Sequence, residues 1–401
     1  MTPTPAAQPE LTAQQLEQII RVRRDLHEHP QAGYAETYAS ETITRLLTQW
    51  DVPFEAGVAT TGVVAWLTPT DAQAAARPAV ALRADMDALP IQEATGLPYA
   101  SQYAGWMHAC GHDGHTAILL GAVQCLAAHR QRLTRPVKFL FQPAEEVGAG
   151  AVKMIEQGVL TARFGGAEVG SVAALHNWPQ LPQGAVAIAP GPAMAGTQIM
   201  NVALRGCGGH AAMPHLACDL NLAAAAFIQA VQSVVSRGIA PTDAAVVSIC
   251  RIAAGDAHNV LPSRVELAGT IRFFTGEVRQ RVEELIRRIA AGVGMAYGCE
   301  IEPTWDAGYP PTVNDAALAS QAAKAAQRAG LEVLADEPAS MAAEDFAFFG
   351  QQTPAVYMRL GATPAGENGA DLHTDGYDFN DELIAPGVAL LVGIVLETWH
   401  D

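Results

Sequence analysis

Val137-Lys138-Phe139-Leu140-Phe141-Gln142-Pro143-Ala144-Glu145-Glu146 is a short apolar run that ends, just past a proline, in two adjacent carboxylates. A continuous run of this length, bounded by a breaker, reads as a strand covered on both faces, as strands of parallel sheets are. The same texture recurs at Gly62-Val63-Val64-Ala65-Trp66-Leu67, Ala79-Val80-Ala81-Leu82, Ser171-Val172-Ala173-Ala174-Leu175 and Ala355-Val356-Tyr357-Met358. Helical spacing marks Leu11 to His29, where Thr12 and Gln15 are placed as a capping box, and Glu36 to Trp50; both are expected as surface helices. Strand and helix alternate, so the fold class expected is α/β with a mostly parallel sheet. Polar residues follow the strands: Asp85 and Asp87 after the Ala79 run, Glu145 and Glu146 after the Val137 run, His176 at the end of the Ser171 run. In open α/β sheets ligands bind outside the carboxyl ends of the strands, so this placement predicts one crevice.

Met107-His108-Ala109-Cys110-Gly111-His112-Asp113-Gly114-His115 then brings a thiol and three imidazoles together ahead of a helix. With Glu145-Glu146, His176 in Leu175-His176-Asn177-Trp178-Pro179 and His373 in Leu372-His373-Thr374-Asp375, the chain carries the thiolate, imidazole and carboxylate donors that borderline divalent metals such as zinc accept. If one of the paired glutamates binds metal, the other is left to approach a water molecule.

At 401 residues the chain exceeds what one core usually fills, and 50% hydrophobic content supplies two. Residues 1–194 and 306–401 read as one catalytic domain. Residues 195–305 change texture to strand (Gln198 to Leu204), helix (Leu220 to Arg237), strand (Val246 to Ile252), strand (Val265 to Phe274) and helix (Glu277 to Tyr297), an α+β insertion. Thr68 to Ala79 is expected as an Ala-rich loop. No apolar run approaches the ~20 residues of a membrane span. The stretch Met1 to Pro9 has neither a basic nor an apolar region, so no secretory signal is expected. The formal charge of −17 argues against nucleic acid as a partner. The six cysteines show no paired spacing, which suits a reducing compartment and a cytoplasmic location; Cys125 and Cys250 are expected in cores.

Arg83-Ala84-Asp85-Met86-Asp87-Ala88-Leu89-Pro90, the Met107–His115 cluster, Gln142-Pro143-Ala144-Glu145-Glu146, His176-Asn177-Trp178-Pro179, Gly208-Gly209-His210-Ala211-Ala212-Met213-Pro214-His215 and Tyr377-Asp378-Phe379-Asn380-Asp381 together resemble the aminoacylase/hippurate hydrolase family. This is a branch of the dinuclear metallopeptidase relatives that includes the indole-3-acetyl-amino-acid hydrolases. The resemblance covers nearly the whole chain, in order. It implies hydrolysis of the amide bond of small N-acyl amino acids, two divalent ions per chain (zinc or manganese, with cobalt or nickel as alternatives), and an inserted lid domain through which the protein forms a homodimer. It implies Cys110, His112, Glu146, His176 and His373 as metal ligands and Glu145 as general base. Asp87 is expected to orient a ligating imidazole. It further implies that His210 reaches across the dimer to stabilise an oxyanion, and that Asn259 and Arg272 hold the substrate carboxylate. Asp85 stands where many relatives place a metal-binding His; His108 and His115 are expected behind the ligands. His27, His29, His129, His258 and His400 belong to no constellation. Cys207 departs from the Lys or other polar residue common before the paired glycines.

Rival readings are a cysteine hydrolase built on Cys110, which lacks an oriented base and third member, a non-catalytic metal-binding dimer, and a metallopeptidase acting on dipeptides.

Overall fold

Every residue of Ala79–Asp85 and Val137–Gln142 is buried, and the two strands lie side by side and parallel. The computed structural model describes residues 8–367 and 369–396, so most of the N-terminal stretch read for a signal, and His400, lie outside the described residues. Within them the chain divides into two units.

The first unit holds the described residues up to Ala193, then Val313–Pro338, and those from Asp345 onward. Its eight-stranded sheet runs Phe54–Val58, Gly62–Leu67, Val137–Gln142, Ala79–Asp85, Val169–Pro182, Ala355–Thr363, Ala185–Ala187, Glu332–Leu334. Val137–Gln142, Ala79–Asp85, Val169–Pro182 and Ala355–Thr363 are mutually parallel, as expected of buried runs joined by helical crossovers. The Gly62–Leu67 strand departs from that expectation. It is antiparallel to both neighbours, because a tight turn with Ala59 and Thr60 at positive φ folds it back on Phe54–Val58.

Helix His112–Ala128 is buried almost all round and packs against Ala13–Glu28, Ile384–Leu396 and the Ala79–Asp85 strand. A helix apolar on every side belongs inside, and this one carries the His112 end of the donor cluster into the core. Ala13–Glu28 starts at the Thr12/Gln15 capping box. It is amphipathic rather than merely superficial: Ile19, Val22 and Leu26 are buried, and so are Arg23 and His27. The Thr68 to Ala79 stretch is not wholly loop, since Asp71 caps a helical turn at Ala72–Ala75 and Ala79 already belongs to a strand.

The second unit spans Met194–Thr312 with Ala339–Glu344. Its four-stranded antiparallel sheet runs Ala245–Ala254, Arg264–Phe273, Gly196–Arg205, Glu300–Asp306. The two inner strands alternate buried with more exposed residues, and helices Leu220–Gly238 and Gly276–Tyr297 close the buried face over Met200, Val202, Phe227, Ile271 and Ile286. The sequence set its edges at 195 and 305. The later edge falls beyond 305 because Thr197 N–H donates to Tyr309 O (2.8 Å), while Ala195 N–H reaches Ser340 O and Ala342 O and draws in a second short segment. Cys250 is exposed, not in the core, because the register slips between Ile249 and Arg251 of the edge strand.

Candidate metal centre

The donor loop is shaped by glycine. Gly111, at φ 86°, is the residue before helix His112–Ala128, and a Cβ there would stand 2.3 Å from Asn177 Oδ1 and 2.7 Å from the Tyr377 hydroxyl. No side chain fits that space, and the left-handed backbone disfavours one as well. Cys110 and His112 therefore flank a fixed bend, both buried.

The His112 and His176 imidazoles are each held through Nδ1, which turns Nε2 toward the other donors. His112 Nδ1 faces the Asp87 carbonyl (2.9 Å) and Asp87 Oδ1 (3.2 Å), so Nδ1 carries the proton; Nε2 is buried without a hydrogen-bond partner. Asp87 Oδ2 also accepts from Glu146 N–H at 3.0 Å, so one carboxylate orients two candidate ligands. His176 Nδ1 donates to Asn177 O at 2.6 Å, and its Nε2 lies 3.4 Å from Cys110 Sγ. Burial, helped by the neighbouring His115, holds the His176 pKa well below the ordinary value, which favours the neutral ring that a metal needs.

Cys110, His112 and His176 converge within ligand distance of one another, as do Cys110, Glu146 and His373. The two groups share the Cys110 sulfur. Glu146 Oε1 is a second orphan, buried and only 3.2 Å from His373 Nε2 but without hydrogen-bond geometry. Burial disfavours the Glu146 carboxylate, yet the His373 contact and the nearby His112 outweigh it and hold its pKa below the usual range. His373 is itself pushed up to about 10 by Cys110 and Glu146. Its backbone sits at φ 62°, anchored by His373 N–H to Ala109 O (2.8 Å), which pins this exposed loop to the donor loop. Two orphaned ligand atoms among soft and hard donors, with imidazole tautomers already set, are what a divalent cation pair requires, so the residues fit such a site.

Glu145 is buried beside this cluster, within ligand distance of His112 and Glu146, and its Oε1 accepts Asp345 N–H at 3.3 Å. The bend that presents the two glutamates has Ala144 at φ 54°, a conformation that costs an L-residue about 1–2 kcal/mol. It is held by the buried Glu36 carboxylate, which accepts Ala144 N–H (2.9 Å) and the Thr61 hydroxyl (2.5 Å). Sequence reading missed Glu36, because nothing local ties it to residue 144.

His115 is bonded at both nitrogens, since Nδ1 meets Asp85 Oδ1 (2.6 Å) and Nε2 meets both Asn177 Oδ1 (2.6 Å) and Asn177 N–H (3.0 Å), and with Asp85 and His112 it forms a further group of donors within ligand distance of one another. Asp85 is bonded at both oxygens in the same way. Its other oxygen takes Arg83 Nη1 at 2.6 Å, and Arg83 bridges to Gln142 (2.8 Å) and Asp345 (3.0 Å), so the ion network under the site runs from Asp85 to the residue that holds Glu145. His108 is buried, and desolvation lowers its pKa to about 4. His27 is no bystander: fully buried, it meets Asp113 Oδ2 at 2.8 Å, and Arg23 stands 3.5 Å from the same oxygen while binding Asp378 and Asp381. Burial opposes the charged His27 ring, but Asp113 wins and raises its pKa to about 9.

In the second unit His210 is exposed on the short strand Gly209–His210, paired with Val260–Leu261. Its Nδ1 accepts Ala212 N–H at 3.0 Å, which leaves the proton on Nε2 and makes that nitrogen a donor. Ala211 N–H reaches Asn259 O (3.1 Å), so His210 and Asn259 sit on adjacent chain segments. Arg272 lies on a different sheet, the four-stranded one, half-buried and bonded to Thr270 Oγ1 (2.7 Å); desolvation lowers its pKa.

Residues 81–397 match the family model described as peptidase family M20/M25/M40. The chain is 38% identical to the N-acetylcysteine deacetylase of Bacillus subtilis over 95% of its length and 97% of the relative's. It is 35% identical to the IAA-amino acid hydrolase ILR1-like 2 of Arabidopsis thaliana, over 94% and 84%. Among solved structures it is similar to the Bacillus subtilis YXEP protein, described as a dinuclear metal binding peptidase from the M20 family, with a TM-score of 0.84, 34% identity, and 96% and 98% coverage. With matches of that length and identity, the chain is a hydrolase and belongs to peptidase family M20/M25/M40.

Proposed function

We propose that the protein hydrolyses the amide bond of N-acyl amino acids, releasing a carboxylic acid and a free amino acid, with two divalent cations per chain. The observation that carries this reading is the convergence of Cys110, His112, Glu146, His176 and His373 around orphaned ligand atoms, with the Glu145 carboxylate beside them. Those five residues would hold the ions, zinc or manganese by donor type and cobalt or nickel as alternatives. When bound, such a pair supplies Lewis acidity to water and to an acyl carbonyl.

Glu145 takes the proton from the attacking water and returns it to the leaving amine. Its oxygen is oriented for this by Asp345 N–H. Asp87 is a positioning residue, fixing the His112 tautomer and the Glu146 backbone. His210, a donor through Nε2, is read as stabilising the oxyanion in the neighbouring site of a homodimer formed through the second unit. Asn259 and Arg272 are read as holding the substrate carboxylate, for which amide and guanidinium donors suit. No helix among the described residues is long and apolar enough to cross a membrane; with its acidic charge and unpaired cysteine spacing, the chain is read as a cytoplasmic protein acting on a small molecule.

The test is a hydrolysis panel of N-acetyl, N-benzoyl and indoleacetyl amino acids against dipeptides, each with zinc, manganese, cobalt and nickel after chelator dialysis. Metal-dependent release of amino acid from the acylated substrates is expected. Turnover confined to dipeptides would replace the substrate class, and full activity in metal-free protein would remove the metal.

A further inference from the structure

Cysteines with no paired spacing in sequence are brought together in the second unit. Cys207 Sγ and Cys218 Sγ lie 3.4 Å apart, and Cys218 N–H donates to Cys207 O at 2.8 Å, so the two backbones are already held side by side. A disulfide needs sulfurs at about 2.05 Å, a further approach of roughly 1.4 Å that side-chain torsions supply when the backbones are this close. Cys207 is exposed and flanked by Gly206 and Gly208, which leave it open to solvent reagents. Cys218 also donates to Gly298 O (2.9 Å), and Cys299 packs behind, its Cβ 3.4 Å from where a Cβ on Gly206 would lie. A structural cation cage takes four donors; the contact here is between two sulfurs. The segment between them, 208–217, is the one that carries His210.

We propose that Cys207 and Cys218 form a reversible dithiol, a modification site that small-molecule disulfides oxidise to a disulfide closing the base of the His210 turn. The reaction is thiol–disulfide exchange. The Cys207 thiolate attacks one sulfur of the reagent RSSR, forming a mixed disulfide and expelling RS⁻. The Cys218 thiolate then attacks the Cys207 sulfur, forming the protein disulfide and expelling a second RS⁻. The two protons lost by the protein are taken up by the two RS⁻, so the reagent is reduced to two RSH as the dithiol is oxidised. The contact with Cys218 lowers the Cys207 pKa, which favours Cys207 as the attacking thiol. Transient disulfides of this kind are the sort that reducing compartments admit.

The test uses metal-loaded full-length protein titrated with oxidised glutathione, followed by alkylation, digestion and mass spectrometry, and by hydrogen exchange. The expected result is a Cys207–Cys218 linked peptide, loss of two titratable thiols reversed by dithiothreitol, and slower amide exchange across 208–217. Cys218→Ser should stop at a glutathione adduct on Cys207, while Cys299→Ser should still close. The proposal is overturned if Cys207 and Cys218 remain free thiols at concentrations that modify the exposed Cys250. It is equally overturned if the linked pair includes Cys299 or two different chains, or if closure leaves exchange across 208–217 unchanged.

Discussion

The metal-centre imidazoles and His210 are the same chemical group in opposite settings. His112 and His176 are buried, each locked through Nδ1 by an oxygen acceptor, so their Nε2 atoms are aimed before any ligand arrives. His210 stands in solvent on a two-residue strand, fixed by one main-chain donor. The first arrangement is stiff because a wrong rotamer would strand polar groups in the core. The second can be reshaped by whatever docks on it, as the role proposed for His210 in a neighbouring chain would require.

That contrast is broken most directly at Glu145. Glu145→Gln should lower kcat by ~10²–10⁴ with both metals retained, because an amide cannot take the water proton; steady-state kinetics with metal analysis checks it, and near-wild-type kcat would remove the assigned role. Next comes His210→Ala, with an expected kcat loss of ~10²–10³ and metal content and fold intact. Mixing inactive His210→Ala with inactive Glu145→Gln chains under subunit exchange should restore partial activity, since one site of each mixed dimer then carries neither lesion. Mixed dimers verified by mass spectrometry that stay dead would show that His210 does not act in trans. Asp87→Ala should weaken metal binding by ~10–100-fold while leaving thermal stability of the loaded protein little changed, because it removes the restraint on His112 and Glu146 rather than a ligand. Competition with a chelator reads this, and unaltered affinity would count against the positioning role.

The smallest effect is expected at His27. Its pKa is raised to about 9 in the folded protein against about 6.5 unfolded. Stability from the charged His27–Asp113 pair is therefore fully present below pH ~6.5 and is lost as pH rises through about 9. Denaturant unfolding of wild type should lose on the order of 1–3 kcal/mol between those limits. His27→Gln should lack that component, and identical pH profiles for the two proteins would refute it.

Strand positions were legible because apolar runs bounded by breakers carry their own signal, and the observed strands at Gly62–Leu67, Ala79–Asp85, Val137–Gln142 and Ala355–Thr363 begin where those runs begin. The family match and the amidohydrolase chemistry were legible because the motifs are dense and local. What stayed hidden involves partners far apart in the chain. Glu36 holding Ala144, Arg23 and His27 gripping Asp113, and Asp345 receiving Arg83 and Gln142 are separations of a hundred residues or more in most cases, and no local pattern announces them.

The sequence by itself determined the α/β class, the inserted α+β segment, the donor types and their placement after strands, since hydrophobic periodicity and residue chemistry are properties of short windows. Only the tertiary structure decided which nitrogen of each buried histidine is held by an acceptor, that Asp85 and His115 are bonded to Arg83 and Asn177, that Cys250 is exposed, and that Cys207 meets Cys218. The physical reason is that a buried polar atom must find a partner wherever the fold brings one, and that partner, not the residue's neighbours in sequence, sets whether it is left to bind.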